Sequence, residues 1–184
     1  MDLYHGSDVK IERGYLKPKK PFQTANDETG VYLSNFYEYA LLFCCNPIKM
    51  FNKKNNISGK VGAFSAHIRK NANNDTIEIY EICKDFFDDV YENEGYIYVC
   101  ESNKNVKNKN NGIFMSNKPI KIKGKEHIKS VKNKILELSK TGKIVVVRYN
   151  DIDHKTRIYL QDAIESRKYY STENEKEFFE FYKL

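Results

Sequence analysis

The chain lacks a long apolar segment and has little proline or glycine, with four and nine residues of these types among 184. No run approaches the ~18 consecutive apolar residues that a membrane-spanning helix needs. The opening residues, Met1 to His5, also lack the basic flank and the apolar core of a signal peptide. We therefore expect a protein of the cytoplasm with no membrane partner.

Cysteine is scarce too, and its spacing argues against metal binding. The four cysteines, Cys44, Cys45, Cys83 and Cys100, include no C-x-x-C pair. Neighbouring Cys44 and Cys45 would point to different sides of a helix, so they could not easily share one metal ion. We expect no metal site, and buried free thiols in a reducing compartment.

Three nucleotide-binding and catalytic motifs are missing as well. The chain contains no G-x-G-x-x-G segment, no Walker P-loop and no G-x-S-x-G elbow. If a dinucleotide binds, it must therefore be held in another way than on a Rossmann sheet. A serine hydrolase triad is not identifiable either.

The composition indicates one folded domain. Hydrophobic residues make up 40% of the chain and aromatic residues 14%, although the mean hydropathy is −0.70. No internal repeat or linker divides the sequence, so we expect a single domain over residues 1–184.

Positive charge is concentrated in one stretch of the sequence. Residues 102–125 hold seven lysines and no acid, whereas the net charge of the whole chain is +6. The region between Lys104 and Lys125 could therefore attract a macromolecular acceptor such as a nucleic acid or an acidic protein. The alternative is a solvated loop, which the absence of arginine and the few interleaved aromatic residues favour.

The pattern of apolar residues predicts a mixed α+β fold. Alternation indicates strands over residues 76–82, 95–100, 112–116, 120–123 and 143–149. Helical spacing indicates helices over 37–45 and 127–140, a short helix or turn over 85–93, and a helical tail over 153–183 broken near 171–172. Strands follow one another without βαβ alternation, which favours an α+β domain over a doubly wound sheet.

The first of two informative motifs lies at the start of the chain. The segment Leu3-Tyr4-His5-Gly6-Ser7 has the form of a strand that runs into a glycine turn. The turn offers an imidazole, a hydroxyl, and a backbone that a flat ligand can approach because Gly6 has no Cβ. A lone histidine is more often structural, but this position favours a ligand role for His5.

The second motif begins at Gly30 and continues as Val31-Tyr32-Leu33-Ser34. A helix with Ala40 and Phe43 on one face is predicted to follow this strand. The rings of Tyr32 and Phe43 could stack on the two faces of an aromatic ligand. Core packing is the alternative for Phe43.

Together these residues resemble the ADP-ribosyltransferase superfamily, in its branch of poly(ADP-ribose) polymerases and diphtheria-toxin-like enzymes. The resemblance implies a single ADP-ribosyltransferase-like domain with split antiparallel or mixed sheets around an NAD cleft. It also implies that His5 holds the nicotinamide-side ribose, that Gly6 and Ser7 contact the cofactor, and that Tyr32 and Phe43 enclose the nicotinamide. Ala40 stands where the family often has a hydroxyl that bonds the amide.

The resemblance also implies a catalytic glutamate at the start of a later strand, and this residue is not identifiable. Asn111 or Gly112 falls at the expected position, and neither is acidic. Asn111 could accept a hydroxyl hydrogen bond but could not neutralise positive charge on the ribose. The nearest acids in sequence are Glu94 and Glu101, which are more typical of solvated strand ends.

Three hypotheses follow for the function. The first is a mono-ADP-ribosyltransferase that uses NAD as substrate and no metal, with His5, Tyr32 and Asn111 in the catalytic positions. The second is a degenerate member that binds NAD or an ADP-ribosyl group without turnover. The third is a basic nucleic-acid-binding protein in which the His-Gly-Ser motif is accidental.

Overall fold

The computed structural model describes residues 1–12, 14–20, 28–54, 56, 65–70, 75–81 and 84–169. The strands are β1 (Asp2–Ser7), β2 (Tyr15–Leu16), β3 (Val31–Ser34), β4 (Ser65–Lys70), β5 (Asp75–Tyr80), β6 (Gly95–Glu101), β7 (Val106–Asn108), β8 (Ile113–Ser116), β9 (Ile120–Ile128) and β10 (Ile144–Val147). The helices are α1 (Tyr37–Leu41), α2 (Pro47–Lys54), α3 (Phe86–Val90), α4 (Val131–Ser139) and α5 (His154–Tyr169). The expected mixed α+β class is confirmed.

Seven strands form the larger sheet, in the order β2-β9-β6-β1-β3-β8-β7 with antiparallel neighbours throughout. The strand that carries His5 is therefore central, and the strand that carries Tyr32 lies directly beside it. A second sheet contains β10, β5 and β4, in which β10 runs parallel to β5 and β4 runs antiparallel to it.

The larger sheet has a hydrophobic core on each face. On one side, which we call the helical face, Tyr4 and Ile97 pack with α1, α3, α4 and the smaller sheet. On the other side, the second face, Leu3, Leu33 and Tyr98 belong to a separate cluster. Side chains alternate along a strand, so each position of β1 and β3 can be assigned to one face or the other.

Most predicted elements are present with shifted ends, but the start of the fourth helix was wrong. The predicted helix over 127–140 begins only at Val131, where the Ser130 side chain accepts a hydrogen bond from the Asn133 amide at 3.3 Å. Residues 124–128 continue β9, which pairs with β6 from Ile122 to Ile128. Residues 127 and 128 therefore pair with β6 as a strand rather than forming the first turn of the helix that the apolar spacing indicated.

Four elements were not predicted: the strands β2, β4 and β7 and the helix α2. The sequence indicated a solvated loop at β7 and left the structure of residues 60–70, which include β4, open. The predicted start of the tail at Asp153 is confirmed, since its carboxylate accepts from the Thr156 amide at 2.9 Å. The predicted break near 171–172 lies outside the described residues.

Cys44, Cys45 and Cys100 are buried and free of disulfide bonds, as expected. Burial raises the pKa of the Cys44 and Cys100 thiols to about 12, so both stay protonated at neutral pH. The fourth cysteine, Cys83, lies outside the described residues. Among the helices that the structure describes, none is long and apolar enough to cross a membrane.

Candidate functional site

The two motifs meet where β1 and β3 begin to separate. Tyr4 pairs with Ser34, and this is the single register pair between these two fully described strands. Both strands extend beyond it, β1 to Ser7 and β3 back to Val31. Beyond this pair the two strands share no register, and nearby backbone groups make other contacts: the Tyr32 carbonyl with His5 and the Ser7 backbone with the Cys44 thiol.

A hydrogen bond from the His5 ring bridges this gap. The Nδ1 atom lies 2.7 Å from the carbonyl oxygen of Tyr32. A carbonyl oxygen can only accept, so Nδ1 carries the proton. In the neutral ring, Nε2 is then an acceptor, and no described residue donates a hydrogen bond to it. The backbone of one motif thus sets the tautomer of the histidine in the other.

The surroundings of His5 favour its neutral form. Burial lowers the pKa of the imidazole, the Lys19 ammonium lowers it further, and the bond to the Tyr32 carbonyl opposes this shift. The ring also lies against Tyr98, with centroids 6.5 Å apart. At neutral pH, Nε2 of His5 is therefore suited to accept a hydrogen bond from a hydroxyl group.

Tyr32 and Phe43 belong to the helical face. Val31 and Leu33, the neighbours of Tyr32, pack in the cluster of the second face, so alternation directs the Tyr32 ring the other way. Phe43 is half-buried against the core of the helical face, and its ring lies 5.3 Å from that of Tyr39. By the same alternation His5, two positions after Leu3, lies on the second face. A ligand that touches the Tyr32, Phe43 and His5 rings must therefore pass from one face to the other through the gap between β1 and β3.

Gly6 is required by packing of the chain on itself. A Cβ atom at this position would lie 1.9 Å from the carbonyl oxygen of Ala40. The space that we expected a flat ligand to use is thus occupied by the backbone of α1. The next residue, Ser7, accepts a hydrogen bond from the Val9 amide at 3.1 Å, which holds the turn after β1.

Asn111 does not converge with the other predicted site residues. It is exposed in the turn between β7 and β8, with a φ of 49°. Tyr32 pairs with Met115, four positions further along the chain, which corresponds to about 13 Å along a strand. Asn111 therefore lies toward the Phe36 end of β3, away from the gap between β1 and β3.

The strand register also fixes the positions of the two other candidate acids, Glu94 and Glu101. Glu101 pairs with Asp2, at the end of β1 that is remote from Gly6. Glu94 lies just before β6, at the Ser7 end of β1, and its carboxylate is 2.9 Å from Nε2 of the exposed His127. Neither carboxylate contacts His5 or Tyr32.

Sequence reasoning missed the charged pair beside Tyr32. The Tyr32 hydroxyl donates to the carbonyl oxygen of Glu28 at 2.9 Å, and the Glu28 carboxylate lies 2.8 Å from Nζ of Lys109. This lysine lowers the pKa of Glu28, so the carboxylate is ionised at neutral pH. Glu28 stands in a polar segment with no motif, and no pattern in the sequence links it to Lys109.

The lysine-rich stretch does not form one patch. Lys104, Lys107 and Lys109 lie at or beside β7, the edge of the larger sheet, whereas Lys121, Lys123 and Lys125 lie on β9 near the opposite edge. The spacing of about 4.8 Å between strands puts β7 and β9 about 24 Å apart. Glu28, Asp2 and Glu12 lie 2.8, 3.4 and 4.0 Å from Lys109, Lys123 and Lys125.

Comparison of the chain with protein-family models, with curated proteins and with solved structures found no match. Inferences about function therefore depend on the residues and their geometry.

Proposed function

We propose that the chain binds NAD where β1 and β3 separate and transfers a single ADP-ribose to a macromolecular acceptor, releasing nicotinamide. The observation that carries this proposal is the 2.7 Å hydrogen bond from His5 to the Tyr32 carbonyl. It joins the two motifs of the resemblance and leaves one acceptor nitrogen for a ligand hydroxyl.

The placement of the aromatic residues supports a role in holding a flat ring. Tyr32 and Phe43 belong to the same face of the sheet, on which the Ala40 backbone fills the space over Gly6. The nicotinamide would stack against this face, while its ribose hydroxyls bond to Nε2 of His5. As the resemblance implies, the Gly6 backbone would hold the carboxamide.

The reaction itself needs a group that stabilises positive charge. The bond between the ribose carbon and the nicotinamide nitrogen breaks, and its electron pair leaves with neutral nicotinamide. The acceptor nucleophile then bonds to the ribose carbon and loses a proton. The Tyr32 hydroxyl donates to the backbone carbonyl of Glu28, and we assign the stabilising role to the carboxylate of this residue.

Binding of NAD without turnover is the second candidate, and the geometry of two residues favours it. Asn111 is neutral and lies about 13 Å along the strand from the level of Tyr32. Glu28 is engaged by Lys109. In this case the same site would recognise NAD or an ADP-ribosylated partner.

Calorimetric titration with NAD, combined with chromatographic detection of released nicotinamide, tests the proposal. We expect His5→Gln to weaken NAD binding by roughly tenfold, the effect of about one lost hydrogen bond. The exposed His154, at the start of α5, gives the matched control His154→Gln, which should bind as the parent chain does. Equal binding by both variants would refute the proposed site.

The Tyr32→Ala and Glu28→Gln variants separate the two candidates. Tyr32→Ala should weaken binding, whereas the control Tyr15→Ala, at an exposed tyrosine on β2, should not. Glu28→Gln should retain binding and lose nicotinamide release if the chain is a transferase. NAD binding without any release by the parent chain would favour the second candidate.

A further inference from the structure

Asn111 and Gly112 form the only Asn-Gly pair in the chain. They lie in the hairpin turn between β7 and β8, where the Lys109 amide donates to the Ile113 carbonyl at 2.8 Å. Three consecutive residues of this turn have left-handed backbone, with φ values of 84° at Asn110, 49° at Asn111 and 74° at Gly112. The turn is exposed at its tip.

The Asn111 amide is free to react, in contrast to other asparagines nearby. The side chain of Asn108 accepts from the Asn110 amide at 2.8 Å, and that of Asn103 accepts from the Asn105 amide at 2.9 Å. The Asn111 side chain makes no hydrogen bond to the part of the chain that the structure describes. Its carboxamide carbon is therefore accessible to a neighbouring nucleophile.

The nitrogen of Gly112 is the nucleophile that this geometry offers. Its N–H donates to no described residue, although the Gly112 carbonyl accepts from the Asn35 amide at 3.1 Å. Glycine leaves the nitrogen unhindered because it has no Cβ. Glycine is also required here, since a Cβ would lie 2.2 Å from the Phe36 ring.

We propose that Asn111 is a site of spontaneous deamidation in the folded protein. Hydroxide removes the proton of the Gly112 nitrogen, which bonds to the side-chain carbonyl carbon of Asn111 and expels ammonia. Water then opens the resulting succinimide at either carbonyl and gives aspartate or isoaspartate. The net reaction consumes one water and releases one ammonia, with no change of oxidation state.

The reaction would change the electrostatics beside Tyr32. A new carboxylate at position 111 lies two residues from Lys109, whose ammonium is 2.8 Å from the Glu28 carboxylate. The new anion competes with Glu28 for this lysine. Deamidation would therefore loosen the contact between the β7–β8 turn and the segment that holds the Tyr32 hydroxyl. The chemistry is independent of the function proposed above.

Peptide mass spectrometry of the full chain, incubated at mildly alkaline pH, tests the inference. We expect Asn111 to deamidate roughly tenfold faster than Asn110 or Asn117, because a glycine follows it and no Cβ hinders the attack. Deamidation is detected as the increase in peptide mass when NH₂ is replaced by OH. The rate should rise with pH, since the attacking nitrogen must lose its proton.

Two further samples keep the inference falsifiable. Asn111→Ser should abolish the mass gain in this peptide, whereas Asn110→Gln should leave it unchanged. The urea-unfolded chain gives the deamidation rate of Asn111 when the β7–β8 turn is absent. If the folded chain retains the Asn111 amide while the unfolded chain loses it, or if Asn110 and Asn117 react as fast, the inference is wrong.

Discussion

Gly6 lies where β1 packs against α1. A Cβ atom at this position would lie 1.9 Å from the Ala40 carbonyl oxygen. A side chain there would push β1 away from α1, and both elements position predicted site residues. The packing of β1 on α1 therefore depends on this glycine.

We expect Gly6→Ala to lower the free energy of unfolding by about 3 kcal/mol, because the added methyl group meets backbone that cannot move aside. Urea unfolding followed by circular dichroism measures the change. Gly14→Ala is the matched control, since no atom lies within 4 Å of its Cβ position. The control should change stability by less than about 0.5 kcal/mol. Similar effects of both substitutions would contradict the packing role.

His5 predicts a pH dependence of stability. The ordinary histidine pKa is 6.5, and burial lowers it in the folded protein. The unfolded chain therefore takes up a proton at a higher pH than the folded chain does. The contribution of neutral His5 to stability is present above 6.5 and is lost as pH falls below that value.

We expect the free energy of unfolding of the parent chain to decrease more steeply below pH 6.5 than that of His5→Gln, which has no imidazole to titrate at this position. Urea titrations of both chains over a series of pH values measure the difference. His154→Gln, at an exposed position, should follow the parent chain. Parallel pH profiles for the parent and His5→Gln would rule out the buried neutral histidine.

At the scale of elements, a cluster of charges joins the smaller sheet to α3. The Glu81 carboxylate, just after β5, accepts from the Phe87 amide at 2.9 Å and the Tyr149 amide at 3.0 Å. It also accepts from Arg148, just after β10, at 3.0 Å, and Arg148 in turn donates to Asp88 at 2.8 Å. The Arg148 guanidinium lies 4.8 Å from the centre of the Phe87 ring.

Glu81→Ala is expected to destabilise the protein by about 3 kcal/mol, because it leaves the buried Phe87 amide and the half-buried Tyr149 amide without their acceptor and removes one of the two carboxylates that Arg148 contacts. Urea unfolding measures the effect, and Glu101→Ala, at an exposed strand end, is the control. Glu81→Gln should recover part of the loss, since its amide oxygen can still accept. A loss no larger than that of the control would mean that the network contributes little.

Elements with a regular apolar pattern were predictable, and elements held only by their neighbours were not. The buried positions of β6 and β8 alternate or run together, so both were identified with ends close to the observed ones. The strand β7, with sequence Val106-Lys107-Asn108, has a single apolar residue, and its structure depends on pairing with β8. Long-range pairing of this kind leaves no local signal.

Only part of the candidate site could be predicted. The two motifs indicated that His5 and Tyr32 each lie on or beside a strand, but not that these strands are neighbours or that His5 bonds to the Tyr32 backbone. Glu28 could not be found, because its contacts with Tyr32 and Lys109 join residues that no sequence pattern connects.

At the scale of the whole molecule, the fold separates charges that are contiguous in sequence. The lysines near β7 and those on β9 lie on opposite sides of the central strands, and carboxylates lie within 4.0 Å of Lys109, Lys123 and Lys125. A short polyanion can therefore engage one group of lysines but not both. This arrangement disfavours the hypothesis of a dedicated nucleic-acid-binding protein.

We expect a short single-stranded DNA to bind weakly. A plot of the logarithm of its affinity against the logarithm of salt concentration should have a slope of about −2 or shallower, because roughly 0.7 of a charge is released per phosphate contact and one group offers only a few lysines. Fluorescence anisotropy measures this slope. Changing Lys104, Lys107 and Lys109 to Gln should leave binding at Lys121, Lys123 and Lys125 with its own shallow slope, and the reverse change should do the same. Because the two groups lie about 24 Å apart, only the combined change should abolish the salt-dependent binding. A steep slope that either triple variant alone abolishes would instead require one continuous surface.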